Sequence, residues 1–365
     1  MDQGGIRLKV YLAGTSVCLP EDNKKMQKLF RRNNKLHSYF HAKEERKGLE
    51  GRWFCVNLKN EVNLFLDSGA FSALTQGIEI DINQYIDFIK KHLDVLEVYA
   101  NLDFIPGKNT ASSKKISAEK TLENQKIMEE AGLSPLPCFH VGEPLEYLEY
   151  YIKNYDYIAL GAMVGKQKST LIPWLDMVFG KFICDKNGMP KVKVHGFGLT
   201  SLPLMLRYPW YSVDSTSWVM TSRMGSIYVP RYRGGDWLYD ENSWKVAVSS
   251  RSPGKTDAGK HISTFSPKQK EIILEYIHEK GYKLGKSRFE KFPQNHELKG
   301  NERWAEKKPK DKGAPRLLEI IEEEGVANRY QLRDEMNIIY FQDLEKSMPA
   351  WPWAFKPKGL KGFSL

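Results

Sequence analysis

Three apolar runs in this chain stop on an aspartate. Residues 61–69, Glu-Val-Asn-Leu-Phe-Leu-Asp-Ser-Gly, end on Asp67 and break at Gly69. Val98-Tyr-Ala-Asn-Leu-Asp closes on Asp103 ahead of Pro106-Gly107, and Trp210-Tyr-Ser-Val-Asp closes on Asp214 ahead of Ser-Thr-Ser. A nearly continuous apolar run marks a strand buried on both faces, and a carboxylate is tolerated at its C-terminal tip because the tip reaches solvent. Three such tips predict one shared site. Other runs end on His140-Val-Gly142, on Gly161-Ala162-Met163 and on His195-Gly-Phe-Gly198, where small residues let a flat ligand approach backbone N–H groups. Two acids beside a flat slot suit glycosidic chemistry, in which one carboxylate attacks an anomeric carbon while another moves protons. Singly, each Asp also fits a helix cap or a turn, His140 and His195 fit interior histidines, and Gly161 and Gly198 fit helix–strand packing. The ordered set is what favours a site.

Tips meet in one cup only if the strands are parallel and joined by crossover helices. The sequence alternates accordingly. Strands are expected at 7–13, 61–67, 95–103, 136–140, 157–161, 192–196 and 210–214, with Trp53-Phe-Cys-Val returning to the interior and Val246-Ala-Val-Ser as the best candidate for an eighth strand. Residues 21–47 read as a polar helical surface, and 108–116 as a loop. Ile82, Tyr85, Ile86 and Ile89 fall at i, i+3, i+4 and i+7, one apolar helix face. Further helices are expected at 117–128, 144–153, 170–180 and 201–207. Such alternation predicts an α/β fold, a TIM-like (β/α)8 barrel over residues 1–250.

Beyond residue 250 the pattern changes to a basic, mainly helical module, 251–365, with helices at 267–278, 317–324 and 330–345. It carries 23 Lys+Arg against 17 Asp+Glu, +6 of the chain's net +10. Phe289, Phe292 and Trp304 lie among lysines and arginines between 283 and 316, a composition that is commonly a solvated surface and is also used to stack bases beside a neutralised phosphate backbone. The net charge favours a polyanionic partner. No apolar stretch reaches the ~20 residues of a membrane span, and Met1-Asp-Gln-Gly-Gly lacks an export signal, so no membrane partner and a cytoplasmic location are expected. Cys18, Cys55, Cys138 and Cys184 are far apart with no CxxC pair, which reads as reduced, mostly buried thiols and no metal site.

Asp67-Ser68-Gly69-Ala70-Phe71-Ser72 resembles the Asp-Ser-Gly-Gly-Phe-Gln motif of tRNA-guanine transglycosylases. Asp103, Gly142, Gly161-Ala162-Met163-Val164-Gly165, His195-Gly196-Phe197-Gly198 and Asp214 follow in the order of that family's later motifs, over roughly residues 60–217. The resemblance implies base exchange without a cofactor. Asp214 would be the nucleophile holding the sugar covalently, Asp67 the acid/base, and Asp103 the reader of the base's N1–H and 2-amino edge. Gly161, Ala162 and Met163 would offer backbone donors to its carbonyl, and Ser68, Gly69, Phe71, His140, Gly142, His195 and Gly198 would complete the pocket. The target nucleotide must be turned out of any stack. The family's zinc module of three Cys and a His is missing, His140 replaces a Gln, and Ala70 replaces the second Gly. Zinc-free relatives with a replaced tail resemble the DpdA-type DNA transglycosylases, viral ones included, which exchange guanine in DNA for a free 7-deazaguanine such as 7-cyano-7-deazaguanine. The implied partners are DNA and that free base, the implied purpose protection of bacteriophage or bacterial DNA against restriction, and the implied location for a viral protein the host cytoplasm. A tRNA-directed enzyme and a non-catalytic nucleic-acid-binding barrel are the alternatives.

Overall fold

The computed structural model describes residues 7–14, 29, 34–44, 63–106, 110–199, 201–251, 260–311 and 313–357. The expected strand at 53–56, most of the helical surface at 21–47, Cys18 and Cys55 lie outside them. Two compact units divide the chain, Met1–Thr216 with Leu344–Leu365, and Ser217–Asp343.

In the first unit, strands and helices alternate. The order is β1 (Lys9–Ala13), β2 (Asn34–Ser38), α1 (Tyr39–Glu44), β3 (Asn63–Asp67), α2 (Ala70–Thr75), α3 (Ile82–Lys91), β4 (Leu96–Tyr99) and α4 (Ala111–Glu130). There follow β5 (Cys138–His140), α5 (Leu145–Asn154), β6 (Tyr157–Gly161), α6 (Lys168–Val178), β7 (Lys193–Gly196), α7 (Leu202–Arg207) and β8 (Ser212–Ser215). The eight strands form one curled sheet in the order β4-β3-β2-β1-β8-β7-β6-β5, and every neighbouring pair is parallel. Beside the two end strands, Ala100 forms a parallel bridge with Leu136, whose N–H donates to the Tyr99 carbonyl at 2.8 Å.

Side chains alternate between the faces of each strand. Leu64 and Leu66 pack with Tyr85, Ile86 and Ile89 of α3, the face expected from the i, i+3, i+4 spacing. Tyr11, Leu36, Phe65, Cys138 and Ala159 cluster on the opposite face. Two residues beyond Phe65, Cys138 and Ser212 on that same face come Asp67, His140 and Asp214, so the period of two carries the polar groups to the C-terminal end.

Several expectations need correction. The eighth strand is β2, concealed because Asn34, Lys35 and His37 are polar yet buried. Val246 instead belongs to the second unit, in β12 (Trp244–Ala247), antiparallel to β9 (Ser226–Val229). Helix α4 starts at Ala111 rather than 117, because Thr110 and Ser113 form a reciprocal capping box that satisfies the first turn. The compact units part at residue 216, not 250.

The second unit is also less helical than expected. It contains α8 (Ser217–Arg223), the short pair β10 (Arg231–Arg233) and β11 (Asp236–Leu238), α9 (Pro267–Glu279), β13 (Lys286–Phe292), β14 (Glu302–Trp304) and β15 (Arg316–Glu323), and most of α10 (Tyr330–Ser347). Strand β15 occupies the segment expected to be helical. Its Leu and Glu content favours helix, but pairing on both sides with β13 and β14 buries Leu318, Glu319, Ile320 and Ile321, and that packing overrides propensity. No helix among the described residues is long and apolar enough to cross a membrane.

Candidate active site

Asp67 is the last residue of β3, and the chain turns sharply behind it. Gly69 takes φ 78°, and a Cβ there would strike the side chains of Ser38 and Phe40, so the turn admits glycine alone. Its N–H donates to Asp67 Oδ2 at 3.1 Å. Burial, then the nearby Asp103 and Asp214 carboxyls, push the Asp67 carboxyl up to about 8, against the opposing pull of the Gly69 and Ser68 N–H groups. Three acids from distant segments therefore share one electrostatic environment.

Asp103 stands on the loop after β4 rather than on a strand, since β4 ends at Tyr99. Helix α4 pins this loop: Asn124 donates to the Leu102 carbonyl at 2.7 Å, the Thr121 hydroxyl accepts from Phe104 N–H at 3.0 Å, and Ser117 donates to the Phe104 carbonyl at 2.6 Å. Asp103 Oδ1 accepts from the Ser68 hydroxyl at 2.9 Å, and Oδ2 lies 3.0 Å from His140 Nε2. On the far side of the ring, His140 Nδ1 is 3.0 Å from Glu143 Oε1, and Glu143 Oε2 accepts from the His140 backbone N–H at 2.8 Å. Burial opposes charge on this imidazole, but Cys138 and the hydrogen bonds to Asp103, Cys138 and Glu143 outweigh it, so its pKa lies well above the ordinary value. His140 is thus held between two carboxyl groups that favour its protonated form.

Glu143 was not singled out from the sequence. The signal available was its place three residues after His140 at a strand end, where the intervening Gly142, at φ 91°, turns the chain back. Gly161 serves the same corner. A Cβ on it would come within 2.7 Å of His140 Cδ2, so its missing side chain makes room for the imidazole ring.

Asp214 lies on β8 and is almost wholly buried. Its Oδ1 accepts from Gly198 N–H at 2.7 Å and lies 3.4 Å from His195 Nε2. His195 is fully buried, so its ring meets Asp214 and not the solvent side of the site. Its Nδ1 is 2.6 Å from Ser212 Oγ, which is 2.5 Å from the Tyr157 hydroxyl. Burial pushes His195 down, against the pull of Asp214, which leaves a neutral ring.

The remaining expected residues divide by exposure. Ser68 and Met163 are buried, whereas Phe71, Ala162 and Gly142 are exposed at the same end of the sheet. Ala162 takes φ 57°, the left-handed region that a non-glycine residue seldom adopts. A cavity of about 790 Å³ opens beside Asp103, lined by Ala70, Leu74, Phe104 and Asn124 among others. Among the described residues, Asp103, Cys138 and His140 are the one group whose donor atoms lie close enough together to hold a metal ion, within 4.8 Å of one another. Burial pushes the Cys138 thiol up to about 11.

No protein-family model and no curated protein matches this chain. The chemistry must therefore be argued from the site. It offers a carboxyl with one pinned oxygen, Asp214; a carboxyl, Asp67, whose burial and acidic neighbours favour its protonated form; and an acid–imidazole–acid row, Asp103–His140–Glu143. Carboxyls pushed into different states by their surroundings are how one site runs acid and nucleophilic steps together.

Proposed function

We propose that the protein is a DNA-guanine transglycosylase that exchanges guanine in DNA for a free 7-deazaguanine, on a sheet that works as a TIM-like (β/α)8 barrel. The observation that carries the reading is the electrostatic coupling of Asp67 to both Asp103 and Asp214, with Asp67 raised to about 8. Retaining exchange at a glycosidic carbon requires a nucleophile and a group that gives up and then recovers a proton. With Oδ1 of Asp214 held by Gly198 N–H, Oδ2 attacks C1′ of the target nucleotide. The bond from C1′ to guanine N9 breaks, and guanine leaves with the proton of Asp67. The resulting Asp67 carboxylate takes the N9 proton of the incoming 7-deazaguanine, whose nitrogen attacks C1′ and releases Asp214. Both steps balance without an outside oxidant, reductant or nucleotide.

In this reading Asp103, oriented by Ser68 and His140, accepts from the N1–H and 2-amino group of the base. The backbone of Gly161, Ala162 and Met163 faces its carbonyl, and Phe71 stacks at the rim. The basic residues of 251–365 supply phosphate contacts, and the product is DNA protected from restriction. The test is mass spectrometry of nucleosides from DNA incubated with the protein and candidate 7-deazaguanines. Wild type is expected to insert the deazaguanine and Asp214→Ala to lose exchange and covalent trapping, by at least about 10⁴-fold. An Asp214→Ala variant that still exchanges base would refute the nucleophile. Competition between DNA and tRNA decides the nucleic acid, and preference for tRNA would replace DNA in the proposal.

A further inference from the structure

A buried polar row runs along the inner face of the sheet and ends at the proposed nucleophile: Tyr157 hydroxyl, Ser212 hydroxyl, His195 imidazole, Asp214 carboxyl. The spacings are 2.5 Å, 2.6 Å and 3.4 Å. His195 is fully buried, and among the described residues its Nε2 makes no hydrogen bond, with Asp214 Oδ1 standing 3.4 Å away. A neutral imidazole carries one N–H, so the row admits two proton arrangements. If Nδ1 carried the proton, it would donate to Ser212, and Nε2 would present a bare lone pair to Asp214 inside the protein, two acceptors face to face with nothing between them. If Nε2 carries it, Tyr157 donates to Ser212, Ser212 donates to Nδ1, and Nε2–H points at Asp214 Oδ1. The second arrangement turns an N–H rather than a lone pair toward the carboxyl oxygen, a short movement from hydrogen bonding. It is the one that buried polar rows require, since an unmatched buried acceptor is expensive.

We propose that His195 is a positioning residue whose Nε2–H, fixed in that tautomer by Ser212 and Tyr157, joins the Gly198 N–H on Oδ1 of Asp214 and leaves Oδ2 as the one oxygen free to attack. The inference rests on Asp214 being the nucleophile, but it assigns a role to three residues that never touch the base. His195 and Gly198 approach the same oxygen from different elements, β7 and the loop behind it. Together they set the plane of the carboxyl. Ser212 sits two residues before Asp214 on β8, so the strand that carries the nucleophile also carries the group that sets the tautomer.

The test has two arms. In the first, ¹⁵N NMR of the histidine-labelled full chain reads the ring nitrogens of His195 directly, with His195→Gln used to assign the signal. A protonated Nε2 and an unprotonated, hydrogen-bonded Nδ1 are expected, and Ser212→Ala is expected to give a mixture of tautomers. In the second, exchange kinetics compare His195→Phe, which removes the donor, with His195→Gln, whose amide can reach the place of Nε2–H. His195→Phe is expected to lower kcat roughly 10- to 100-fold, the loss of one hydrogen bond to a charged group, with KM for the free base unchanged, and His195→Gln to recover most of it. An active wild type whose Nε2 is unprotonated, or a folded His195→Phe with unchanged kcat, overturns this proposal. A wild type that exchanges no base at all overturns the functional reading instead, and the NMR arm still reports whether the row is ordered as argued.

Discussion

Asp67 ends β3 and Asp103 follows the neighbouring β4, and their surroundings treat the same side chain in opposite ways. Around Asp103 there is a hydroxyl, Ser68, on one oxygen and a charged imidazole, His140, on the other. Around Asp67, among the described residues, the dominant neighbours are backbone N–H groups and two more carboxyls. One corner is compensated and built to stay as it is. The other is left uncompensated, which is why a proton remains on it near neutral pH. The contrast separates a group suited to hold a ligand's edge from a group suited to hand over a proton.

The sharpest way to break this contrast is to remove the proton carrier. Asp67→Asn keeps the shape and the turn at Gly69 but cannot cycle a proton, so exchange is expected to fall about 10²- to 10⁴-fold, the usual share of general acid–base catalysis. Steady-state rates with DNA and free base check it, and a rate within a few-fold of wild type would mean that Asp67 moves no proton.

At the other corner, the largest effect should be on stability. His140→Ala leaves Asp103 and the buried Glu143 facing each other without a cation, and loss of one partner from a buried charged set destabilises by roughly 3–5 kcal/mol. Denaturant unfolding measures it, and a loss below about 1 kcal/mol would mean that the corner is not ion-paired. Gly161→Ala should act on the same corner more weakly, by about 1–3 kcal/mol, because its methyl group crowds His140 Cδ2 and Cys138.

A separate effect comes from pH alone. The folded-state pKa of Asp67, about 8, lies above the ordinary 3.8 of the unfolded chain, so the native state holds this proton more tightly. Its contribution to stability is fully present below about pH 4, declines as pH rises toward 8 and is flat above that. In Asp67→Asn the decline disappears. Unfolding midpoints of both proteins between pH 4 and 9 test the difference, and parallel curves would place Asp67 in an ordinary environment.

What could be read from the chain depended on which physical rule left a mark. Apolar runs ending on Asp67 and Asp214 were legible because strands covered on both faces must be apolar up to their tips. Helix α3 was legible from its apolar spacing, and the Asp81 carboxylate caps it at Gln84 N–H. Strand β2 left no such mark, since Asn34 is buried by donating to Glu345 and accepting from Asn63, partners distant in the chain. Pairing across the sheet, not local pattern, makes it a strand. Glu143 went unread for a related reason. An acid after a glycine looks like a turn on the surface until Ser117, from a helix more than twenty residues earlier, is seen with its hydroxyl 2.8 Å from Oε1 of Glu143. His195 was read as part of the base pocket because its neighbours are glycines, while its burial beneath Asp214 is a property of the assembled sheet.

Strand β1 lies in the middle of the sheet, paired with β2 on one side and β8 on the other, with Lys9 opposite Ser212. Asp214, the proposed nucleophile, therefore acquires its neighbour Tyr11 only when segments some two hundred positions apart have met, a contact of high sequence separation. A product truncated before β8 would keep Asp67 and Asp103 but lack Asp214, and so could not assemble the three-carboxyl cluster.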